Sequence, residues 1–206
     1  AKKRDHRKLG AELDIFTLDE DIGPGLPLWL PRGAVMIEEI ENLAKEMESK
    51  AGYQRVRTPH LTKESLFLKS GHLPYYQESM YPPMEMDNTR YFMKPMNCPF
   101  HIGIYKSSPR SYRDLPQRYS EMGTVYRAEL SGTLHGLMRV RGFSVDDAHL
   151  FVRPDQVHAE VADCLDFAIK VFETYGFDKV KFELSVRGEA ENKGYLGTDE
   201  DWAAAE

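Results

Sequence analysis

The sequence predicts an α+β fold in which a mainly antiparallel sheet is flanked by helices. Strand-like segments follow one another as hairpins, and long amphipathic helices stand before and after them. The strict alternation of strand and helix that is typical of a parallel sheet does not occur. Neither GxGxxG nor GxxxxGK[ST] is present, so any nucleotide site must be built without a glycine-rich phosphate loop.

Helices are expected where apolar residues recur every three to four positions or where capping residues begin a turn. A capping box from Thr198 to Asp201 indicates one helix near the end of the chain. The other predicted helices lie within 4–16, over 34–50, from a Thr62 cap to Lys69, from Pro99 onward, and over 154–175.

Strands are expected where apolar residues alternate with polar ones or stop at a proline. The predicted strands cover 53–58, 90–95, a long hairpin within 119–151, and 180–186. Residues 19–32 and 72–89 contain several prolines and show no period, which favours irregular structure for both.

Composition limits the functional classes that need to be considered. The chain has 206 residues, of which 41% are hydrophobic and 29% charged, and its net charge of −6 gives no global electrostatic argument for nucleic-acid binding. Two cysteines do not make a disulfide scaffold, and no apolar run approaches the length of a membrane span. We therefore expect a cytoplasmic protein without a membrane anchor.

The second half of the predicted hairpin carries a row of functional side chains at every second position. Residues with that spacing point to one face of a strand. The opposite positions are not a clean apolar set, so a binding site is favoured over a generic amphipathic strand. The row consists of Arg139, Arg141, Phe143, Val145, Asp147 and His149.

Arg127 and Glu129 share a face on the first strand of the same hairpin. Taken alone, such a pair is more often a weak cross-strand ion pair than a site. Clustered arginines repel one another unless an anion joins them, and Phe143 offers a surface on which a base can stack. The hairpin therefore predicts a site for a polyphosphate and a base.

Cys98 and His149 are candidate metal ligands, because thiolate sulfur and imidazole nitrogen both bind zinc. They lie far apart in the sequence, and a single cysteine or histidine is more often a core residue. His101 follows Cys98 by three positions and is the competing ligand.

Three motifs resemble the catalytic core of threonyl-tRNA synthetases, which are class II aminoacyl-tRNA synthetases. They are KPMNCPFH (94–101), YRAE (126–129) and HGLMRVRGFSVDDAH (135–149), and RDHRKLG and SYRDLPQRY support them. The resemblance implies one partial class II catalytic domain over 1–206. Its first motif is at about 34–59 and normally forms a homodimer interface, and its second is at about 119–151.

The resemblance also implies roles for individual residues. Arg127 would hold the α-phosphate of ATP and the carboxylate of threonine, and His72 would assist transfer to the tRNA ribose. Arg139 would face the γ-phosphate. The adenine would be bound by Glu129, by the backbone near Met138 and Val140, and by the ring of Phe143.

Further roles concern the amino acid. Asp147 and Met96 would contact threonine, while Cys98 and His149 would supply two zinc ligands; Mg²⁺ would accompany ATP. Zinc would bind the amino and hydroxyl groups of threonine and so reject valine, which an apolar pocket separates poorly. Phe100 stands where the family usually has glycine, and Val145 where glutamine is common.

The resemblance places the third zinc ligand, the third motif and the anticodon-binding domain beyond Glu206. We therefore expect threonine activation and charging of tRNA(Thr) from a parent enzyme, with little activity from these residues alone. Two alternatives remain open from the sequence: a non-catalytic synthetase-like module that binds tRNA or nucleotide, and a class II synthetase for another amino acid.

Overall fold

The predicted combination of helices and mainly antiparallel strands is confirmed. The structure is a computed structural model that describes residues 4–177, 179–186 and 197–205. The chain divides into two compact units, Ala1–Val157 and His158–Glu206. None of the described helices is both long and apolar enough to cross a membrane.

The N-terminal segment begins with helix α1 (His6–Glu12), which confirms a helix within 4–16 but ends before Phe16, a strand residue. Asp5 caps it, because its side chain accepts a hydrogen bond from the backbone N–H of Arg7 at 3.0 Å. Strands β1 (Phe16–Thr17) and β2 (Leu28–Trp29) then pair antiparallel. The stretch over 19–32 was therefore wrongly predicted to be wholly irregular, since its last residues find a strand partner.

Helix α2 (Pro31–Lys50) begins three residues earlier than its apolar pattern indicated. Proline suits the first turn of a helix because the backbone N–H groups of that turn have no acceptor within the helix, so the missing N–H costs no hydrogen bond. Strand β3 (Gln54–Arg55) is shorter than the predicted strand over 53–58.

A small sheet follows, with strand order β4–β6–β5. Its first strand, β4 (Leu61–Lys63), contains Thr62, so the prediction that Thr62 caps the next helix was wrong. The predicted loop over 72–89 was also wrong in part, since it contains a helix and a strand. The remaining elements of this region are α3 (Glu64–Lys69), α4 (His72–Tyr75), β5 (Met84–Met86) and β6 (Thr89–Met93).

Helix α5 (Cys98–Lys106) leads to the hairpin, whose strands are β7 (Gln117–Tyr126) and β8 (Gly142–Phe151). The two strands pair antiparallel along their whole length, and β3 pairs parallel with β7. Arg127, Arg139 and Arg141 lie just outside the strands, contrary to the sequence prediction. The regular strand pairing ends at Tyr126 and Gly142, and one backbone bond from Arg127 to Arg141 follows before the chain opens into a loop.

The hydrophobic core of the first unit lies under the small sheet. Aromatic edges meet there: the ring centroids of Phe67 and Phe92 are 6.2 Å apart and nearly perpendicular. The same packing explains why α3, α4 and α5 stay against the strands. The buried cluster consists of Phe67, Leu73, Met80, Phe92 and Phe100.

The second unit contains helices α6 (Val157–Thr174) and α7 (Asp199–Ala205). Thr198 and Asp201 form the predicted capping box, with reciprocal hydrogen bonds of about 3 Å. Residues 180–186 are not a strand, because no described segment pairs with them. The apolar stripe of α6, expected to be buried, is half exposed at Val161.

Candidate functional site

The guanidinium of Arg127 and the ring of Phe143 lie against each other at the open end of the hairpin. The guanidinium carbon is 5.2 Å from the ring centroid, which is cation–π geometry. The Arg127 backbone N–H donates to the carbonyl of Arg141 at 2.9 Å, which continues the ladder one step beyond β7. A positive charge and an aromatic surface, both predicted from the sequence, are thus brought together.

Glu129, in the part of the loop that follows β7, is bonded to the part that precedes β8. Its carboxylate accepts a hydrogen bond from Arg139 Nε at 3.0 Å. Its carbonyl accepts two more from Arg141, at 3.0 and 2.8 Å. Glu129 therefore pairs with Arg139 and not with Arg127, and the pair lies in the loop between the strands.

The hairpin loop presents Met138 to solvent while it buries Val140. The side chain of Met138 is 78% exposed, and that of Val140 is 8% exposed. The Met138 backbone N–H donates to the carbonyl of His135 at 2.9 Å. The predicted contact of the Met138 and Val140 backbone with adenine stays a prediction.

Strand β8 shows the predicted alternation along the part of the row that lies within the strand. Phe143, Val145, Asp147 and His149 are half-buried on one face, whereas the residues between Phe143 and His149 on the other face are exposed. One face of the strand therefore carries an aromatic ring, a carboxylate and an imidazole in that order.

Asn97 holds the carboxylate of Asp147 in place. Its amide nitrogen donates to Asp147 Oδ2 at 2.9 Å, and the side chain is only 1% exposed. Gly123 on β7 makes room for it, since a Cβ there would lie 2.4 Å from the Asn97 amide nitrogen. The predicted threonine contact Met96 precedes Asn97 and is half-buried.

Cys98 and His149 both lie beside Asp147. Burial, and then the negative charge of Asp147, raise the pKa of the Cys98 thiol. Nδ1 of His149 is 2.9 Å from Nδ1 of His101 and 3.8 Å from Asp147 Oδ1. Burial lowers the pKa of His149, which favours the neutral imidazole that a metal requires.

These two side chains fit part of a zinc site. A thiolate and a neutral imidazole are suitable donors, so Cys98 would have to lose its proton to bind zinc. His149 keeps Nε2 available because Nδ1 faces His101. Within 4–177, 179–186 and 197–205, no group of three or more His, Cys, Asp or Glu side chains is arranged to hold a metal ion.

Both nitrogens of His101, the competing ligand, have partners in this structure, since its Nδ1 faces Nδ1 of His149. His101 is fully buried, and its Nε2 lies 3.1 Å from a carboxylate oxygen of Glu121. The same carboxylate accepts from the backbone N–H of Thr58 at 2.6 Å and from its hydroxyl. Lys94 donates to the Thr58 hydroxyl at 2.7 Å.

This buried cluster of Thr58, Lys94, His101 and Glu121 was missed by the sequence reasoning. Burial alone would raise the pKa of Glu121, but the hydrogen bonds from Thr58 and His101 outweigh it and hold that pKa below its ordinary value. The sequence did contain a signal for this cluster. Glu121 alternates with Tyr119 and Gly123 on the buried face of β7, where a carboxylate needs hydrogen-bond partners.

Residues 82–201 match the family model for the tRNA synthetase class II core domain (G, H, P, S and T). The chain belongs to the class II tRNA synthetase core family. The resemblance to class II synthetases stated from the three motifs is therefore confirmed, together with the α+β class that it implied.

Relatives of this synthetase core carry a more specific name. Threonine--tRNA ligase from Deinococcus radiodurans is 53% identical over 206 residues, which are 100% of this chain and 32% of that protein. The ligase of the same name from Aquifex aeolicus is 51% identical over 205 residues, again 100% of this chain and 32% of that protein. The chain thus spans about a third of the length of these curated relatives.

A solved structure agrees with these relatives. The crystal structure described as the RNA binding domain of threonyl-tRNA synthetase from Cryptosporidium parvum has a TM-score of 0.87 at 36% sequence identity. The match covers 98% of this chain and 49% of that chain. At this identity the likeness concerns sequence as well as fold.

In this synthetase core, His72 is buried and not poised in solvent. Its Nδ1 lies 2.9 Å from the Ser70 hydroxyl, and its ring packs between Phe67 and Tyr76. Burial lowers the pKa of His72, so the imidazole is held neutral. Its Nε2 is buried as well and has no hydrogen-bond partner in the described part of the chain.

The two departures from the family pattern have different surroundings in this synthetase core. Phe100 points into the buried cluster, where its ring meets Phe67 edge-on at 6.4 Å and lies 5.5 Å from the Lys94 ammonium. Val145 faces Gly123 across the hairpin. Phe100 therefore contributes to packing, whereas Val145 lies on the site face of β8.

Proposed function

We propose that this protein activates threonine with ATP and transfers it to tRNA(Thr). One observation carries the proposal: a cation and an aromatic ring lie at one end of β8, and a carboxylate, a thiol and an imidazole lie toward the other. From Phe143 to Asp147 the strand rises about 13 Å, a separation that suits a base at one end and an amino acid at the other. The similarity to threonine--tRNA ligases supports this assignment.

In the first step, a carboxylate oxygen of threonine attacks the α-phosphorus of ATP, and pyrophosphate leaves. Arg127 neutralises charge that develops on the phosphate, together with the Mg²⁺ that accompanies ATP. Phe143 stacks on the adenine, and Glu129 with the backbone at Met138 and Val140 binds its edge. Arg139 exchanges its contact with Glu129 for one with the γ-phosphate.

In the second step, a ribose hydroxyl of tRNA attacks the carbonyl carbon of the adenylate, and AMP leaves. The neutral Nε2 of His72 is suited to accept a hydrogen bond from that hydroxyl and to take up its proton. Burial lowers the pKa of His72, so the imidazole stays unprotonated near neutral pH. Because Nε2 is itself buried in this structure, the role requires the side chains that cover it to move when tRNA binds.

Selection of threonine rests on the opposite end of the strand. Asp147, fixed by Asn97, pairs with the hydroxyl or amino group of the substrate, and Met96 lines the same pocket. Cys98 and His149 would hold zinc, which would supply a Lewis acid that discriminates a hydroxyl from the methyl group of valine.

We also propose that the chain forms the part of a catalytic domain that contains motif 1, at about 34–59, and motif 2, at about 119–151. Motif 1 would form a homodimer interface. Apolar side chains of α2 that are exposed in this chain support the interface, namely Val35, Met36 and Ile40. The proposed site of action is the cytoplasm.

Calorimetric binding of ATP and of a non-hydrolysable threonyl-adenylate analogue tests the function. We expect saturable binding of both, a loss of at least tenfold in affinity in Arg127→Ala, and no loss in the control Arg153→Ala, whose guanidinium pairs with Asp155 at 2.8 Å. No binding of the threonyl-adenylate analogue would contradict the proposed function, and no binding of ATP would contradict the nucleotide site.

A further inference from the structure

We infer that His6 is a positioning residue for the nucleotide site, because its imidazole holds the tight turn of the hairpin loop over residues 135–139. The turn carries Met138 and Arg139. The inference rests on the proposed function only in treating this loop as part of the ATP site.

The contact joins two parts of the chain that are far apart in sequence. The backbone N–H of Leu137 donates to Nε2 of His6 at 3.0 Å across 131 residues. The rings of His6 and His135 lie 6.2 Å apart. Helix α1 is therefore in contact with the turn through the first residue of the helix.

Gly136 is required at the centre of this contact. Its φ of +50° is in the left-handed region, and an added Cβ would lie 2.2 Å from His6 Nε2 and 2.8 Å from the Arg7 side chain. The turn and the helix are thus packed so closely that only glycine fits at position 136, which indicates a specific contact.

The imidazole is itself fixed from the other side. Its ring stacks on Phe16 at 6.4 Å with an interplanar angle of 17°, and its Nδ1 is 3.9 Å from the Asp5 carboxylate. Since the Leu137 N–H donates, Nε2 must carry the lone pair, and the proton of the neutral ring sits on Nδ1 toward Asp5. The N-terminal helix cap therefore favours the tautomer that can accept the bond.

Other N–H groups of the turn find acceptors inside it, whereas the Leu137 N–H finds its acceptor in His6. His135 N–H donates to the carbonyl of Arg139 at 3.1 Å, and Met138 N–H donates back to His135 at 2.9 Å. Without His6, the Leu137 N–H would lose its partner, and the turn that sets the direction of Arg139 toward Glu129 would loosen. The N-terminal segment thus shapes the site from outside the hairpin.

Amide hydrogen exchange measured by NMR tests the contact directly. We expect the Leu137 amide to be protected in the unmodified protein and to exchange about tenfold faster in His6→Leu, while the Val125 amide in β7 is unchanged. His6→Gln, which keeps an acceptor, should restore most of the protection. Lys8→Leu on the same helix is the matched control and should leave Leu137 unaffected.

ATP affinity tests the positioning role. His6→Leu should weaken ATP binding about fivefold, and His6→Gln should restore it. An unprotected Leu137 amide, or faster exchange in His6→Leu without any change in ATP affinity, would overturn the inference. If the unmodified chain binds no ATP, the proposed function fails while the exchange data still decide the contact.

Discussion

Replacing Gly123 with alanine should destabilise the protein through a single steric conflict. The new Cβ would lie 2.4 Å from Nδ2 and 2.7 Å from Cγ of Asn97, a side chain that is 1% exposed and cannot move outward. Overpacking of this kind costs about 1–3 kcal/mol. Losing the Asn97 hydrogen bond to Asp147 adds about 1 kcal/mol. Alanine also makes the unfolded chain less flexible than glycine does, which offsets somewhat less than about 1 kcal/mol of this loss of stability.

We therefore expect the free energy of unfolding to fall by about 2–3 kcal/mol in Gly123→Ala, measured by urea denaturation followed by circular dichroism. Gly103→Ala is the matched control, because Gly103 lies on an exposed part of α5 with no atom within 4 Å of its Cβ position. That control should gain about 0.5–1 kcal/mol. If Gly123→Ala and Gly103→Ala had the same stability, the fitted contact between Asn97 and β7 would be refuted.

Two further predictions concern buried carboxyl groups. Glu121→Leu should lower the free energy of unfolding by about 3–5 kcal/mol, because His101 and the Thr58 N–H lose their acceptor; a loss below about 1 kcal/mol in urea denaturation would contradict this. Burial, and then hydrogen bonding to Asp146, raise the pKa of Glu48 to about 7. A carboxyl whose pKa is raised by folding stabilises the folded state at low pH, and this contribution is lost as pH rises to 7. Relative to Glu48→Gln, the free energy of unfolding of the unmodified protein should therefore fall by on the order of 3 kcal/mol between about pH 5 and about pH 8. Parallel pH profiles of the two proteins, from the same denaturation experiment, would refute the prediction.

Much of the site was predictable because it lies on one hairpin. Alternation along β8 placed Phe143, Asp147 and His149 on one face, and the structure confirms this. The same period failed at Arg139 and Arg141, since the spacing continues through a loop where the strand has ended. A period of two reports the direction of side chains only while the chain is extended.

Segments that depend on a distant partner were predicted less well. Residues 180–186 alternate as a strand would, but no described strand lies beside them, and hydrogen bonds to a neighbour are what make a strand. Thr62 has the chemistry of a helix cap, yet pairing with Phe92 draws it into β4. Local propensity was overridden in both cases by the presence or absence of a pairing partner.

The sequence by itself determined the family, the α+β class and the order of functional groups along the hairpin, because motifs and alternation are local properties. Only the tertiary structure decided which polar groups satisfy one another. Glu121 meets Thr58 across 63 residues, and Leu137 meets His6 across 131. Such bonds form between buried or fitted groups whose proximity depends on the packing of whole elements, and no spacing in the sequence encodes it.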